Sequence, residues 1–182
     1  MERCRLVFSG SGGQGVITAS IILAEAAVMY ENLNAVQSQS YGPEARGGST
    51  RSDVIISESA IHYPKVIQPN LLVCLTQDAY NTYYPIIRPG GLLIADSRYV
   101  QIERKVDARQ KQIPMYETVM EKIKKPIVFN ICMLGALTSL HELVNPDSIM
   151  KVLETRIPPD FLDLNRNALE LGVELGKQFK DD

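Results

Sequence analysis

The sequence lacks tryptophan, has three cysteines, and shows no strong excess of either charge. Its 19 basic and 21 acidic residues leave a net charge of −2, whereas nucleic-acid-binding proteins normally carry a basic stripe, so no nucleic-acid partner is expected. No apolar run approaches the roughly 18 residues that a membrane helix needs. No signal peptide precedes Leu6. We therefore expect a cytoplasmic protein without a membrane segment.

The three cysteines, Cys4, Cys74 and Cys132, are far apart and form no C-x-x-C pair. Iron–sulfur clusters and structural zinc sites need clustered thiolates, so neither is predicted in this chain. An odd number of cysteines also argues against a disulfide framework. We interpret all three as small buried side chains.

The motifs of self-sufficient enzymes are missing as well. No serine sits in a nucleophile elbow, and neither H-E-x-x-H nor G-x-x-x-x-G-K-[ST] occurs. His62 and His141 stand apart from any acid–nucleophile pattern, which favours structural or surface roles. The sequence therefore predicts no catalytic residue in this chain.

The order of apolar segments predicts a three-layer α/β fold with a central, mostly parallel (mixed) sheet. Residues 4–9 read as a buried strand and residues 16–30 as a helix that is apolar almost all round, giving a Rossmann-like first βαβ unit. Residues 71–75 and 92–95 are apolar throughout, as in strands covered on both faces. Further predicted elements are strands at 34–38 and 53–56, a helix at 77–84, exposed strands within 100–115, a helix at 129–140, a helix starting at Asn145–Pro146, and a last helix whose apolar stripe runs from Phe161 to Phe179. The length of 182 residues predicts one domain over residues 1–182.

A glycine turn follows the first predicted strand. Gly10, Gly12 and Gly15 fit G-x-G-x-x-G between a strand and a helix, a context in which backbone N–H groups can hold a phosphate. The candidate contacts to a phosphate or a partner are Gly12, Gly13, Gln14 and Gly15. The alternative is a purely structural turn, with Gln14 capping the helix instead of reaching a ligand.

Binding of a nicotinamide dinucleotide is disfavoured by the second strand. An acidic residue should end that strand to hold a ribose hydroxyl, but Gln37, Ser38 and Gln39 stand there. The third strand also follows a loop and not a second crossover helix, so the chain departs from the Rossmann plan after one unit.

A second loop combines charge with glycine. Arg46 offers a planar fork suited to carboxylate or phosphate, and Glu44 could hold it in place. We predict a recognition loop formed by Tyr41, Glu44 and Arg46, with Gly47 and Gly48 allowing close approach. The alternative is a self-contained turn in which the two charges pair with each other.

Several motifs in order resemble the gamma subunit of the 2-oxoacid:ferredoxin oxidoreductases. The likeness runs over essentially the whole chain, and the form Tyr-Gly-Pro-Glu-Ala-Arg-Gly-Gly resembles the 2-oxoglutarate branch more than the pyruvate or branched-chain branches. The matching segments are Gly10–Gly15, Gln39–Gly48, Tyr63–Pro64, Arg88–Asp96, and Asn130 with Met133–Gly135.

The resemblance implies a subunit that is inactive alone and resembles a pyruvate/ketoisovalerate oxidoreductase catalytic domain. The implied partners are alpha and beta subunits, often a ferredoxin-like delta subunit, and ferredoxin as electron acceptor. Thiamine diphosphate, magnesium and iron–sulfur clusters would lie in the partner subunits, and coenzyme A would be the co-substrate of oxidative decarboxylation to an acyl-CoA.

This chain would then shape or cover the active-site and coenzyme A region. Asn130 is a further candidate contact, with helix capping as the alternative. Two other functions stay open: a stand-alone NAD(P)-binding oxidoreductase, and a purely structural assembly subunit. Without its partners, an exposed interface would favour a homodimer.

Overall fold

The computed structural model describes residues 3–40 and 50–180, which form a six-stranded sheet flanked by six α-helices. The strands are β1 (Cys4–Gly10), β2 (Asn34–Ser40), β3 (Thr50–Ser57), β4 (Leu71–Cys74), β5 (Gly91–Asp96) and β6 (Ala108–Ile113). The helices are α1 (Val16–Tyr30), α2 (Gln77–Tyr83), α3 (Met115–Lys122), α4 (Phe129–Leu140), α5 (Pro146–Arg156) and α6 (Leu162–Gln178), with short 3-10 helices at Tyr84–Ile86, Pro126–Val128 and Pro159–Phe161. None of these helices is both long and apolar enough to span a membrane.

The sheet is mixed and mostly parallel, as predicted. Its order is β2-β3-β1-β4-β5-β6, in which β1, β4, β5 and β6 pair in parallel. The strand β3 is antiparallel to both of its neighbours, β1 and β2. The first βαβ unit therefore differs from a Rossmann unit because β3 lies between its two strands. The predicted departure from the Rossmann plan after one unit is confirmed.

The two faces of the sheet bury two hydrophobic clusters. Successive strand residues point to opposite faces, so Leu6 and Phe8 join one cluster while Val7 joins the other. The first cluster packs under α1 and α3 to α6. The second packs under α2 and the segment around Val100. The result is the three-layer arrangement that the apolar strands predict.

The helices α4 and α6 make the closest helix contact in this core. The side chains of α4 are buried along nearly its whole length. A Cβ atom added to Gly135 would lie 2.2 Å from the Leu169 carbonyl oxygen, and one added to Gly172 would lie 1.9 Å from the Cys132 carbonyl oxygen. Glycine is therefore required on both helices for this backbone-to-backbone approach.

The structure differs from the sequence predictions mainly between β5 and α4. Only β6 is a strand within residues 100–115, and residues 101–106 have no regular structure. The sequence favours a helix end for the basic run at Lys122, Lys124 and Lys125, and α3 does end at Lys122, although its start at Met115 was not predicted. Glu117 in its first turn and Lys122 in its last suit the helix dipole. In the last predicted helix, Phe161 lies in the preceding 3-10 turn and is 55% exposed, so it is not part of the buried stripe.

We predict that His141 lowers the stability of the folded chain in mild acid. It follows α4, its Nδ1 atom is buried without a hydrogen-bond partner among the described residues, and burial lowers its pKa below the usual 6.5. The unfolded chain therefore takes up this proton more readily, so the free energy of unfolding should fall as pH drops below 6.5. Urea titrations from pH 7.5 to pH 5 measure that slope.

The second histidine provides the control. His62 is exposed, and the chain has 2 histidines in all. His141→Asn should flatten the pH dependence between pH 6.5 and pH 5, whereas His62→Asn should leave the wild-type slope. Equal slopes for all three proteins would contradict the assignment to His141.

Candidate functional site

The glycine turn joins the carboxyl end of β1 to the start of α1. Gly13 and Gly15 have φ values of 86° and 72°, a backbone region that favours glycine. Gly12 and Gly13 are exposed, and a Cβ atom added to either would meet no described atom within 4 Å. No side chain of the described residues caps α1, so the turn leaves the helix N-terminus open to an outside acceptor.

Gln14 braces the turn from inside. Its Oε1 accepts a hydrogen bond of 2.8 Å from the Ser11 N–H, and its Nε2 donates one of 3.1 Å to the Leu75 carbonyl. Both ends of the amide are thus engaged within the chain, and neither caps α1. The side chain fastens the turn to the residue after β4, and a ligand contact of Gln14 through its backbone stays a prediction.

Removing this brace should loosen the turn. Gln14→Ala deletes both hydrogen bonds and leaves partly buried groups without partners, so we expect a loss of about 1–3 kcal/mol in the free energy of unfolding. Ser11→Ala is the matched control because Ser11 contributes its backbone N–H and not its hydroxyl. Urea unfolding of both variants measures the difference. A shared midpoint would contradict the bracing role.

Asn130 meets the turn from α4. Its Nδ2 donates a 3.3 Å hydrogen bond to the Gly15 carbonyl oxygen, and its side chain is buried. A Cβ atom on Gly15 would lie 2.5 Å from that nitrogen. The fold therefore brings Asn130 and Gly15 together, two predicted site residues that lie 115 positions apart. Asn130 does not cap its own helix with its side chain.

A cleft of about 400 Å³ lies beside the turn, between α1, α4 and the connection from α5 to α6. Its wall is mostly apolar, and two of its side chains, Ile127 and Phe161, are 80% and 55% exposed. Arg156 supplies a positive charge and pairs with Glu25. The cleft is lined by Gly13, Gly15, Thr18, Ile22, Ile127, Val128, Asn130, Ile131, Arg156, Ile157, Pro158, Phe161, Leu164 and Asn165. An open helix N-terminus and an apolar wall thus share one site.

Gln37, which stands where a dinucleotide site needs an acid, is used inside the fold. Its Nε2 donates to the Ser52 hydroxyl at 2.7 Å, and that hydroxyl lies 2.7 Å from the Ser20 hydroxyl. These three side chains join β2, β3 and α1. The geometry gives Gln37 a structural role and adds nothing in favour of a ribose contact.

Asp96, at the carboxyl end of β5, also serves the fold. Its carboxylate accepts hydrogen bonds from the backbone N–H groups of Arg98 at 3.0 Å and Tyr116 at 2.8 Å. Burial raises its pKa above the usual value, partly offset by these bonds. Because Tyr116 is the second residue of α3, the carboxylate satisfies part of that helix N-terminus.

The cysteines are buried and free, as predicted. Burial raises the pKa of the Cys4, Cys74 and Cys132 thiols to about 12, which makes them poor metal ligands. Within residues 3–40 and 50–180, no three His, Cys, Asp or Glu side chains are grouped so that they could hold a metal ion. The described residues therefore do not suit an iron–sulfur cluster.

The predicted recognition loop, with Tyr41, Glu44, Arg46, Gly47 and Gly48, lies outside the described residues. The strands on either side of it are described: β2 ends at Ser40, and β3 begins at Thr50. Thr50 pairs with Gly10, the first residue of the glycine turn. The loop therefore joins β3 beside Gly10, at the end of β1 that carries the glycine turn.

Known proteins match this chain over nearly its whole length. The family model described as pyruvate ferredoxin/flavodoxin oxidoreductase matches residues 5–175. A chain from Methanocaldococcus jannaschii named 2-oxoglutarate synthase subunit KorC is 44% identical over 178 residues, covering 97% of this chain and 95% of that one. The crystal structure of a keto/oxoacid ferredoxin oxidoreductase gamma subunit from Geobacter sulfurreducens superposes with a TM-score of 0.86 at 38% identity, covering 95% of this chain and 98% of that one.

A more distant structure shares the fold. It is a 2-oxoglutarate:ferredoxin oxidoreductase from Magnetococcus marinus with 2-oxoglutarate, coenzyme A and succinyl-CoA bound. The TM-score is 0.87 at 22% identity, and the match covers 98% of this chain but 32% of that one. The same fold therefore occurs there as one part of a longer polypeptide.

Proposed function

The chain belongs to the pyruvate ferredoxin/flavodoxin oxidoreductase family as a gamma subunit of the 2-oxoacid:ferredoxin oxidoreductase type, and we propose that its complex acts on 2-oxoglutarate. The near full-length identity of 44% to a 2-oxoglutarate synthase subunit supports this substrate. The reaction would be oxidative decarboxylation to succinyl-CoA. Within it, this chain would form part of the wall over the coenzyme A region.

The open start of α1 is the observation that carries the coenzyme A assignment. Coenzyme A has phosphate groups at one end and a long, mostly uncharged arm. The N-terminus of α1, which no described side chain caps, and the exposed Gly12 and Gly13 offer N–H donors to a phosphate. The adjacent apolar cleft offers a wall to the arm. Arg46, as a second phosphate contact, is part of the same proposal.

The remaining chemistry belongs to partner subunits in this proposal. Alpha and beta subunits, with a ferredoxin-like delta subunit, would hold thiamine diphosphate, magnesium and the iron–sulfur clusters, and ferredoxin would take the electrons in the cytoplasm. Thiamine diphosphate supplies the decarboxylation chemistry when bound there. In the Magnetococcus protein the matching part continues into a longer chain, whereas the Methanocaldococcus relative is nearly matched end to end.

Anaerobic purification tests the proposal. The tagged chain would be pulled from its native host and assayed for viologen dye reduction with 2-oxoglutarate, pyruvate or 2-oxoisovalerate, each with and without coenzyme A. We expect co-eluting thiamine-binding subunits and coenzyme A-dependent activity that is highest with 2-oxoglutarate. A preference for pyruvate would overturn the substrate. A chain that elutes alone and binds NAD or NADP tightly would overturn the proposal.

A further inference from the structure

A second cavity opens at the other end of the strands from the glycine turn, where the parallel strands begin. Its volume is about 630 Å³, and its lining residues are Arg5, Tyr63, Lys65, Ile67, Gln68, Arg88 and Pro89. The lining contains three cations and no acid. Arg5 belongs to β1, Lys65 to the connection from β3 to β4, and Arg88 to the turn before β5.

The three cations are not neutralised by the described part of the chain. None of the ion pairs within residues 3–40 and 50–180 involves Arg5, Lys65 or Arg88. The whole chain has a net charge of −2, so three positive charges around one cavity form a local patch of opposite sign. Such a patch attracts acidic groups and speeds their association.

Two of the cations stand on a backbone that is held rigidly. The Arg5 N–H donates to the Asn70 Oδ1 at 3.0 Å, and the Asn70 N–H donates back to the Arg5 carbonyl at 2.7 Å. The Arg88 N–H donates to the Pro69 carbonyl at 3.1 Å. The pair Pro69–Asn70 therefore fixes the strand start and the turn that carry Arg5 and Arg88. A binding surface held in place before binding loses less entropy on association.

The cavity also exposes large side chains that are not charged. Tyr63 is 59% exposed and Ile67 is 72% exposed. Arginine and tyrosine are enriched at the centres of protein interfaces. A site for a small anion needs the cations but gains nothing from an exposed isoleucine. The combination favours a protein surface that carries carboxylates beside apolar groups.

We propose that this cavity is a docking surface for an acidic segment of another subunit of the oxidoreductase complex. The inference rests on the proposed function, because it requires partner subunits. It assigns different roles to the two ends of the parallel strands. At about 3.3 Å per strand residue, Arg5 and the glycine turn lie roughly 17 Å apart along β1, so docking at one end leaves the other free for coenzyme A.

Charge reversal in the assembled complex tests this surface. The test variant is Lys65→Glu with Arg88→Glu, and the control is Lys105→Glu with Lys122→Glu, which changes the net charge equally at other exposed positions. The dissociation constant of each chain for the purified alpha, beta and delta subunits would be measured anaerobically in 50 mM and 300 mM NaCl. We expect the test variant to bind at least tenfold more weakly and to lose most of the wild-type salt dependence. The control should stay within twofold of wild type.

The other outcomes each overturn the inference in a distinct way. If the test variant folds, as judged by its melting temperature, and binds with wild-type affinity and salt dependence, the surface does not dock a subunit. If citrate binds the isolated wild-type chain, is lost in the test variant, and subunit binding is unchanged, the cavity holds a small anion. If the reversal alters only self-association in light scattering, the occupant is a second copy. If wild type binds no partner subunit, the proposed function fails first.

Discussion

Replacing Gly172 with alanine is expected to lower the free energy of unfolding by about 3 kcal/mol or more, because it wedges α6 away from α4. The new Cβ atom would lie 1.9 Å from the Cys132 carbonyl oxygen and 2.8 Å from its carbon. Both are backbone atoms, so no side-chain rotation relieves the overlap. For a chain of this size the melting temperature should fall by roughly 6–12 °C.

The control for this prediction is Glu170→Ala, an exposed position on the same helix. Thermal unfolding followed by circular dichroism should place it within about 2 °C of wild type, since exposed substitutions change stability little. Gly135→Ala should act like Gly172→Ala because its Cβ atom would lie 2.2 Å from the Leu169 carbonyl oxygen. Since both changes open the same contact, the double variant should lose less than their sum. A Gly172→Ala protein that melts with wild type would refute the close approach.

Replacing Gly12 with valine is expected to raise the apparent KM of the complex for coenzyme A at least tenfold without unfolding the chain. Gly12 has no positive φ, and a Cβ atom there would meet no described atom within 4 Å. The fold therefore tolerates a side chain, whereas a phosphate bound against the open α1 N-terminus would collide with it. Initial rates of 2-oxoglutarate-dependent viologen reduction against coenzyme A concentration measure the effect.

A graded series separates ligand contact from other roles. Gly12→Ala should shift the KM less than Gly12→Val, because the added volume is smaller. The melting temperature of the isolated chain and the yield of intact complex should both match wild type. If the yield falls while the surviving complex keeps normal coenzyme A kinetics, Gly12 contacts a partner subunit and not the co-substrate.

The long apolar elements could be predicted from the sequence with their bounds. The helices α1 and α4 begin and end at the predicted residues, because both are long segments that are apolar over most of their length. Asn145 accepts a hydrogen bond of 2.9 Å from the Asp147 N–H, and Pro146 opens α5, as the capping rules predict. Each of these features depends only on residues that are close in the sequence.

The elements whose bounds were not predicted depend on distant partners. The eight-residue helix α3 is too short to show a clear period, and part of its N-terminus is satisfied by Asp96, 20 positions earlier. The strand β6 alternates poorly in burial because it lies at the edge of the sheet. Neither the register of an edge strand nor a cap from another element can be predicted from the local sequence pattern.

The same limit applies to the candidate site. Its glycine turn follows from local sequence, but the inward bonds of Gln14 to Ser11 and Leu75 do not. The contact between Asn130 and Gly15 spans 115 positions, so only the packing of α4 beneath the turn reveals it. The sequence could therefore predict which residues are candidates. Only the fold shows which of them hold the turn in place and which are exposed to a ligand.

Hydrogen–deuterium exchange of the intact complex tests the central claim most directly. Peptides that cover residues 10–19 would be compared with and without saturating coenzyme A, with peptides over residues 101–106 as the internal control. The account predicts slower exchange at the start of α1 when coenzyme A is bound, and no change in the control peptides. Unchanged exchange of residues 10–19 in a complex shown to be saturated with coenzyme A would contradict it.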